Sequence, residues 1–422
     1  MTREQLTALE QELSTKFEQY KKAGLNLDLT RGKPAGQQLD LSNGLDGLLQ
    51  GNYKSGDGTD TRNYGGLDGL PEMKALAGQM MGVKPAEVVI GGNSSLTLMY
   101  QFMMHAHFWG PLGKGSAWNE GSVRPKFICN VPGYDRHFTI CEDLGIEMIS
   151  VELKDDGPDM DAIEQMVRND PSIKGMWCVP KHSNPTGHIY SDAVVERIAK
   201  LAKIAGPAFV VMWDNAYAVH DFGDNVPELA NLMEHARKNG TENSIVITSS
   251  TSKITFAGAG ISFLGASEEI LKHFKKRLTA ITIGPDKVNQ LRHLRMIKDM
   301  NDVKALMKRH ATILKPKFEM VLKILEQELG GKGIATWTIP TGGYFVSFDI
   351  PGLAKEVVKL SAEAGVKLTP AGSTYPYMKD PQDKNIRIAP SFPSLKEIEP
   401  AMHVFVTCVQ LAHVRNLLVK NQ

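Results

Sequence analysis

The chain has 422 residues, 42% hydrophobic and 23% charged, and its 48 basic residues nearly cancel its 47 acidic ones to leave a formal charge of +1. This is the composition of a soluble globular protein of two or three domains, and it excludes a disordered, collagen-like or coiled-coil chain. The balanced charge gives no basic footprint for nucleic acid and no polybasic membrane anchor. Cys129, Cys141, Cys178 and Cys408 form no Cys-x-x-Cys pair. They are too sparse for a disulfide framework and fit a reducing compartment. The first residues, MTREQLTALEQEL, lack the apolar core of a signal peptide. The apolar stretch 401–414 is too short for about 30 Å of hydrocarbon, so no membrane contact and a cytoplasmic location are expected.

Leu6, Leu9, Leu13, Phe17 and Tyr20 recur at spacings of three and four, which predicts a helix that stops at Gly24. Seven short apolar runs follow, at 88–90, 127–131, 148–151, 176–179, 209–213, 245–248 and 261–264. Each is continuously apolar, as in strands buried on both faces of a parallel sheet, and most intervals are long enough for crossover helices. The fold class expected is α/β: a doubly wound, mostly parallel, seven-stranded large domain over about 50–300. Residues 286–329 are charged and helix-favouring, with Pro316 predicting a break or kink. Strands at 335–339, 343–350, 366–369 and 386–389, with helices at 354–364 and from 396 onward, predict a smaller α+β domain. It is assigned 1–49 and 301–422, both ends of the chain, because the N-terminal helix needs a partner for its apolar face.

Ligands of open α/β sheets bind beyond the carboxyl ends of strands. Beyond these strand ends lie Gly91-Gly92-Asn93-Ser94-Ser95, Pro132-Gly133-Tyr134, Ser183-Asn184-Pro185-Thr186-Gly187, Asp214 with Tyr217, and Ser249-Ser250-Thr251-Ser252-Lys253. Singly, each has an ordinary alternative. Glycine pairs and Asn-Pro-Thr-Gly make turns, Asp caps helices, most lysines are solvated, and Tyr134 could pack in a core. Their convergence on one sheet edge is what those alternatives explain poorly. His105 and His107, two apart on a helix, share no face for a metal. Gly113-Lys114-Gly115 lacks P-loop spacing and 258–261 lacks a full dinucleotide fingerprint. No metal site is expected.

A pyridoxal phosphate site needs these residue types. Lys253 would form the Schiff base. Asp214 would face the ring nitrogen and keep it protonated. Asn184 and Tyr217 would bond the phenolic oxygen, Asn93, Ser94, Ser95, Ser250 and Ser252 would hold the phosphate, and Tyr134 would cover the ring face. The order Asn184 in SNPTG, Asp214 in DNAY, Lys253 in SSTSK and Arg387 in NIRIAPS, at intervals of 30, 39 and 134 residues, resembles the fold type I pyridoxal-phosphate aminotransferases of class I/II. The segments LTRGKP, PGYDRHF and SKITFAGAG resemble the bacterial type Ic aspartate aminotransferases. The resemblance covers essentially the whole chain.

It implies pyridoxal 5′-phosphate as cofactor and amino-group transfer between an amino acid, L-aspartate first, and 2-oxoglutarate by a ping-pong mechanism. Arg387 would grip the substrate α-carboxylate, helped by the backbone N–H of Gly32 and by Asn184. Lys253, Asp214 and Tyr217 would be the catalytic set. Arg31 is the candidate for a distal carboxylate, with Lys33 beside it. Tyr64, in NYGGLDGLPEMKAL, matches the family's tyrosine that reaches the neighbouring subunit's phosphate, implying a homodimer with shared sites. One departure is Ile261, which stands where most class I enzymes carry a phosphate-binding arginine. The competing readings are a C–S β-lyase on the same scaffold, distinguishable by its products, and a MocR-like regulatory module, disfavoured by the short segment before residue 27 and the neutral charge.

Overall fold

The computed structural model describes residues 1–420. A mixed sheet dominates it, built from β1 (Val88–Ile90), β2 (Lys126–Val131), β3 (Glu147–Lys154), β4 (Gly157–Pro158), β5 (Ile173–Cys178), β6 (Val210–Asp214), β7 (Ile245–Ser250) and β8 (Ser262–Ala266). The spatial order is β1-β8-β7-β6-β5-β2-β3-β4. Strands β7, β6, β5, β2 and β3 run parallel, whereas β8 lies antiparallel between β1 and β7. The seven strands expected are present, and an eighth is added: the two-residue β4 pairs antiparallel with the edge strand β3. Proline suits an edge because its missing N–H would face solvent there.

The continuous apolar runs reflect burial on both faces. Along β6, Val210 and Met212 point into one core with Phe127, Val246 and Leu264. Val211 and Trp213 point into another with Ile128, Met176, Ile247 and Phe263. Alternation along the strand thus feeds two layers of helices.

A separate core gathers Leu6, Leu13 and Phe17 from the first helix with Phe318, Val321, Val346, Phe348, Val357, Val366, Ile386, Ile388, Phe405 and Val409. The first helix, Arg3–Ala23, starts on a Thr2–Gln5 capping box and ends at Gly24, where φ is 62°. Its left-handed C-cap suits glycine. A three-stranded antiparallel sheet, Thr336–Trp337, Val346–Asp349 and Asn385–Ile388, carries Arg387. Leu27–Asp28 pairs parallel with Val366–Lys367.

Two expectations about helices need correction. The helix Met300–Leu329 runs unbroken for 30 residues with Pro316 inside it. Proline forfeits one hydrogen bond there, while Leu314, Lys317, Phe318 and Val321 carry the buried stripe across it. The interruption falls earlier, between Lys287–Met296 and Asp299, whose side chain caps the long helix. The final helix, Leu395–Lys420, has 26 residues, long enough to cross a bilayer. Its apolar face is spent inside the protein: Val404, Phe405, Cys408, Val409 and Leu411 are buried in the separate core.

Candidate active site

Asp214 is the last residue of β6 and pairs in register with Thr248 of β7. It is 3% exposed. Its Oδ2 lies 3.0 Å from His137 Nε2, while Oδ1 is buried with no hydrogen-bond partner. A buried carboxylate oxygen left bare is costly, and it fits a protonated ring nitrogen. His137 lies in the first turn of the helix Asp135–Asp143, stacked on Trp177 at 4.1 Å and 7° and edge-on to Tyr134 at 5.0 Å. Sequence reasoning assigned His137 no role. The available signal was its place three residues after Tyr134 at a helix start, which puts both on one face.

Lys253 follows β7 in a single turn in which the N–H groups of Ile254 and Thr255 both reach Thr251 O at 2.8 Å. Its Nζ sits 5.1 Å from the centre of the Tyr217 ring. Burial lowers the ammonium's pKa below the ordinary lysine value, and the Asp214 charge partly opposes this. Burial first, then the Tyr134, Tyr344 and Asp214 charges, pushes the Tyr217 phenol well above its ordinary value. Tyr217 is therefore a neutral O–H at physiological pH.

Arg387 reaches the same place from the three-stranded sheet. Its Nη1 donates to Asp135 Oδ1 at 3.2 Å and Asn184 Oδ1 at 3.3 Å, and its Nη2 to Thr369 Oγ1 at 3.4 Å. Nε is buried and unpartnered. Nε and the second hydrogen of Nη2 are therefore left for a carboxylate, the planar two-point contact that arginine supplies. The guanidinium lies 5.0 Å from the Phe345 ring centre, and Phe345 fills the space in front of Gly32. A Cβ on Gly32 would lie 2.2 Å from Phe345 Cζ. Asp135, 252 residues from Arg387, is a second residue to which sequence reasoning gave no role.

The phosphate candidates divide. Ser252 Oγ donates to Asn93 O at 2.7 Å and Asn93 Nδ2 to Gly258 O at 3.2 Å, tying the 91–95 loop to the lysine segment. Those two side-chain donors are thus committed to backbone. Ser94 precedes the helix Ser95–Trp109 without a side-chain capping bond, and Ser250 Oγ accepts the N–H of Ser252 at 3.4 Å, leaving its own hydrogen free. The N–H groups at that helix start, with Ser94, Ser95 and Ser250, form the donor set suited to an anion. Ile261 is core, 2% exposed. Tyr64 lies apart, 84% exposed, and Arg31 is exposed beside Gly32. Lys33 is turned onto the Phe392 ring, 3.8 Å from its centre.

This combination of a lysine after one central strand, a carboxylate ending the next and an arginine from a second core defines a fold type I pyridoxal-phosphate enzyme. The comparisons agree. Residues 1–421 match the family model "Aspartate amino-transferase". An aspartate aminotransferase of Corynebacterium glutamicum is 45% identical over 411 residues, covering 97% of this chain and 94% of that one. The crystal structure of an aspartate transaminase from the same organism superposes with a TM-score of 0.94 at 44% identity, covering 99% and 98% of the two chains. An α-aminoadipate aminotransferase of Thermus thermophilus, complexed with N-(5′-phosphopyridoxyl)-L-leucine, shares the fold at a TM-score of 0.73 and 20% identity, covering 94% of each chain. The chain belongs to the aspartate aminotransferase family.

Proposed function

We propose that the protein transfers the amino group of L-aspartate to 2-oxoglutarate in two half-reactions, as a cytoplasmic homodimer. The observation that carries the site assignment is the bare, buried Asp214 Oδ1, whose carboxylate is close enough for its charge to act on Lys253. Bound there, pyridoxal phosphate supplies the electron sink that makes the substrate's α-carbon acidic.

The chain's own groups do the rest. With the cofactor bound, Asp214 would place negative charge at its ring nitrogen, with His137 holding the other carboxylate oxygen. Tyr134 would cover a face of the ring, and the Asn184 amide and Tyr217 hydroxyl would donate to its phenolic oxygen. Lys253, its amine more readily neutral because it is buried, would hold the cofactor and take the substrate's α-proton on Nζ. The Nε/Nη2 edge of Arg387 and the Gly32 N–H fix the α-carboxylate, while Arg31 receives the distal one. Tyr64 would help hold the phosphate of the neighbouring subunit's cofactor. Its exposure, together with exposed Ile281 and Ile283 and an apolar cleft of about 550 Å³ lined by Leu96, Tyr100, Met104 and Ile281, supports a covered face. Four unpaired, buried cysteines fit a reducing compartment.

The test is purified protein with aspartate and 2-oxoglutarate. Oxaloacetate and glutamate are expected, with parallel lines in double-reciprocal plots. Lys253→Ala should lose turnover and the covalent link to the cofactor, and a Lys253→Ala variant with full turnover would overturn the assignment. Pyruvate released from a cysteine conjugate, without amino transfer, would make the protein a lyase. Sedimentation should give twice the subunit mass, and a monomer would refute the shared site.

A further inference from the structure

The turn that carries Lys253 does not continue into a helix, so its carbonyls have no backbone donors waiting further along. Among the described residues no backbone N–H reaches the carbonyl of Lys253 or of Ile254. Two buried histidines from different elements fill those positions. His220 Nε2 lies 3.3 Å from Lys253 O, and His310 Nε2 lies 2.9 Å from Ile254 O. A third, His293, takes the next residue at its side chain, with Nε2 2.9 Å from Thr255 Oγ1.

The orientation of His310 is set by a chain of bonds. The Ala35 N–H donates to Gln38 Oε1 at 3.0 Å, which fixes which end of the amide is nitrogen. Gln38 Nε2 then donates to Tyr344 Oη at 3.0 Å and to His310 Nδ1 at 3.1 Å. With Nδ1 accepting, the proton sits on Nε2 and points at Ile254 O. His220 is wedged edge-on between the rings of Tyr217 and Tyr344, 5.5 and 5.7 Å away. Its own carbonyl accepts the Gly343 N–H at 3.0 Å. Burial lowers the pKa of both histidines, so each is the neutral donor its geometry requires.

We propose that His220 and His310 are positioning residues for the reaction: their Nε2–H groups hold the backbone of Lys253 and Ile254 so that the amine meets the cofactor and the substrate α-carbon at a working distance. The inference rests on the assignment of Lys253 above. Neither histidine touches substrate. His220 is anchored at the 341–345 turn and His310, through Gln38, at the N-terminal segment, so they tie the lysine's backbone to the elements that surround the substrate-binding arginine.

The experiment compares His220→Gln, His220→Leu, His310→Gln and His310→Leu as full-length holoenzymes. Glutamine places an N–H near the Nε2 position, whereas leucine has similar bulk and no donor. Small misplacements of a reacting group cost about tenfold to a hundredfold in rate. The leucine variants should lose kcat by roughly that factor with KM for aspartate changed less than about twofold. They should also recover the yellow chromophore more slowly when pyridoxal phosphate is stripped and re-added. The glutamine variants should regain most of both. Wild-type kcat and recovery rate in the leucine variants, or glutamine variants as impaired as leucine ones, would overturn the proposal. If the leucine variants do not fold, His220→Asn and His310→Asn, whose amides stop short of the carbonyls, must show the same loss. Failure of the Lys253 assignment is a separate result, since it shows as full turnover in Lys253→Ala.

Discussion

The contact between Gly32 and Phe345 gives a sharp test of how the substrate carboxylate is held. In Gly32→Ala the new Cβ would lie 2.2 Å from Phe345 Cζ and 2.7 Å from Cε1. The φ of Gly32 lies outside the left-handed region, so alanine meets no backbone strain and the ring is the whole obstacle. Ordinary carbon contacts are about 3.5–4.0 Å, so the ring must retreat by more than about 1 Å. Phe345 is buried, edge-on to Tyr217 at 6.4 Å, and carries the Arg387 guanidinium 5.0 Å from its centre. Overpacking at such a site costs about 1–3 kcal/mol. If Arg387 absorbs the displacement, that cost is roughly a 5- to 150-fold rise in KM for aspartate, at about 1.4 kcal/mol per factor of ten. Steady-state kinetics, with oxaloacetate drawn off by malate dehydrogenase, reads KM directly. Phe345→Leu removes the obstructing ring, so the double variant Gly32→Ala/Phe345→Leu should recover part of the loss, a coupling that a double-mutant cycle isolates. Parental KM in Gly32→Ala, or strictly additive effects in the double variant, would refute the reasoning.

Two further variants probe other parts of the molecule. His137→Phe keeps a ring against Trp177 but strips Asp214 of its one hydrogen bond, leaving both oxygens of a buried carboxylate without a protein partner. Such a loss costs about 1–3 kcal/mol, so cofactor affinity should fall about 5- to 150-fold in equilibrium dialysis, and unchanged retention would remove His137 from the site. Lys317 is 4% exposed, donates to Ser391 O at 2.7 Å, and has its pKa lowered by burial from 10.5 to about 8, with Glu397 opposing. The folded pKa lies below the unfolded one, so the unfolded chain binds more protons between pH 8 and 10.5, and this group's contribution to stability rises with pH across that window. The rise is at most about 3 kcal/mol. Urea unfolding at pH 7.5 and 10 should show wild type gaining on Lys317→Met, and parallel curves would rule the effect out.

Most of the main strands were legible because they are buried on both faces and need apolar residues almost throughout, whereas β3, with Ser150, Glu152 and Lys154 exposed, was legible only from Met148, Ile149 and Val151. β4 was not, since two residues leave no period to read. Asp214 and Lys253 were legible because a charge just past an apolar run is conspicuous. Asp135 and His137 sit inside a helix start where polar residues are ordinary, and nothing local says that one faces Arg387 and the other Asp214. Pro316 misled because one missing hydrogen bond weighs little against eight or more turns of packed helix. The division of the phosphate candidates was also illegible. Asn93 and Ser252 have suitable side chains, but the loop geometry assigns those donors to Gly258 and Asn93 carbonyls.

The site is shared by two cores that hold their parts of it in different ways. Asp214 and Lys253 end or follow adjacent strands, and their spacing is set by a ladder in which Trp213 pairs with Ile247 and Asp214 with Thr248. Arg387 hangs on another sheet, lies against Phe345 of its own region, and is bonded to the first core at 3.2 Å to Asp135 and 3.3 Å to Asn184. A small shift of the second core therefore acts directly on the carboxylate grip, and on Lys253 only through the His220 and His310 bonds. That separation predicts different kinetic signatures. Perturbing Gly32 or Phe345 should appear mainly in KM, because it alters a grip made equally in ground and transition states. Perturbing His220 or His310 should appear mainly in kcat, because the lysine amine acts on the substrate when the α-proton moves and takes no part in gripping its carboxylate. If both sets of variants changed KM and kcat in the same proportion, the two cores would have to act as one rigid unit.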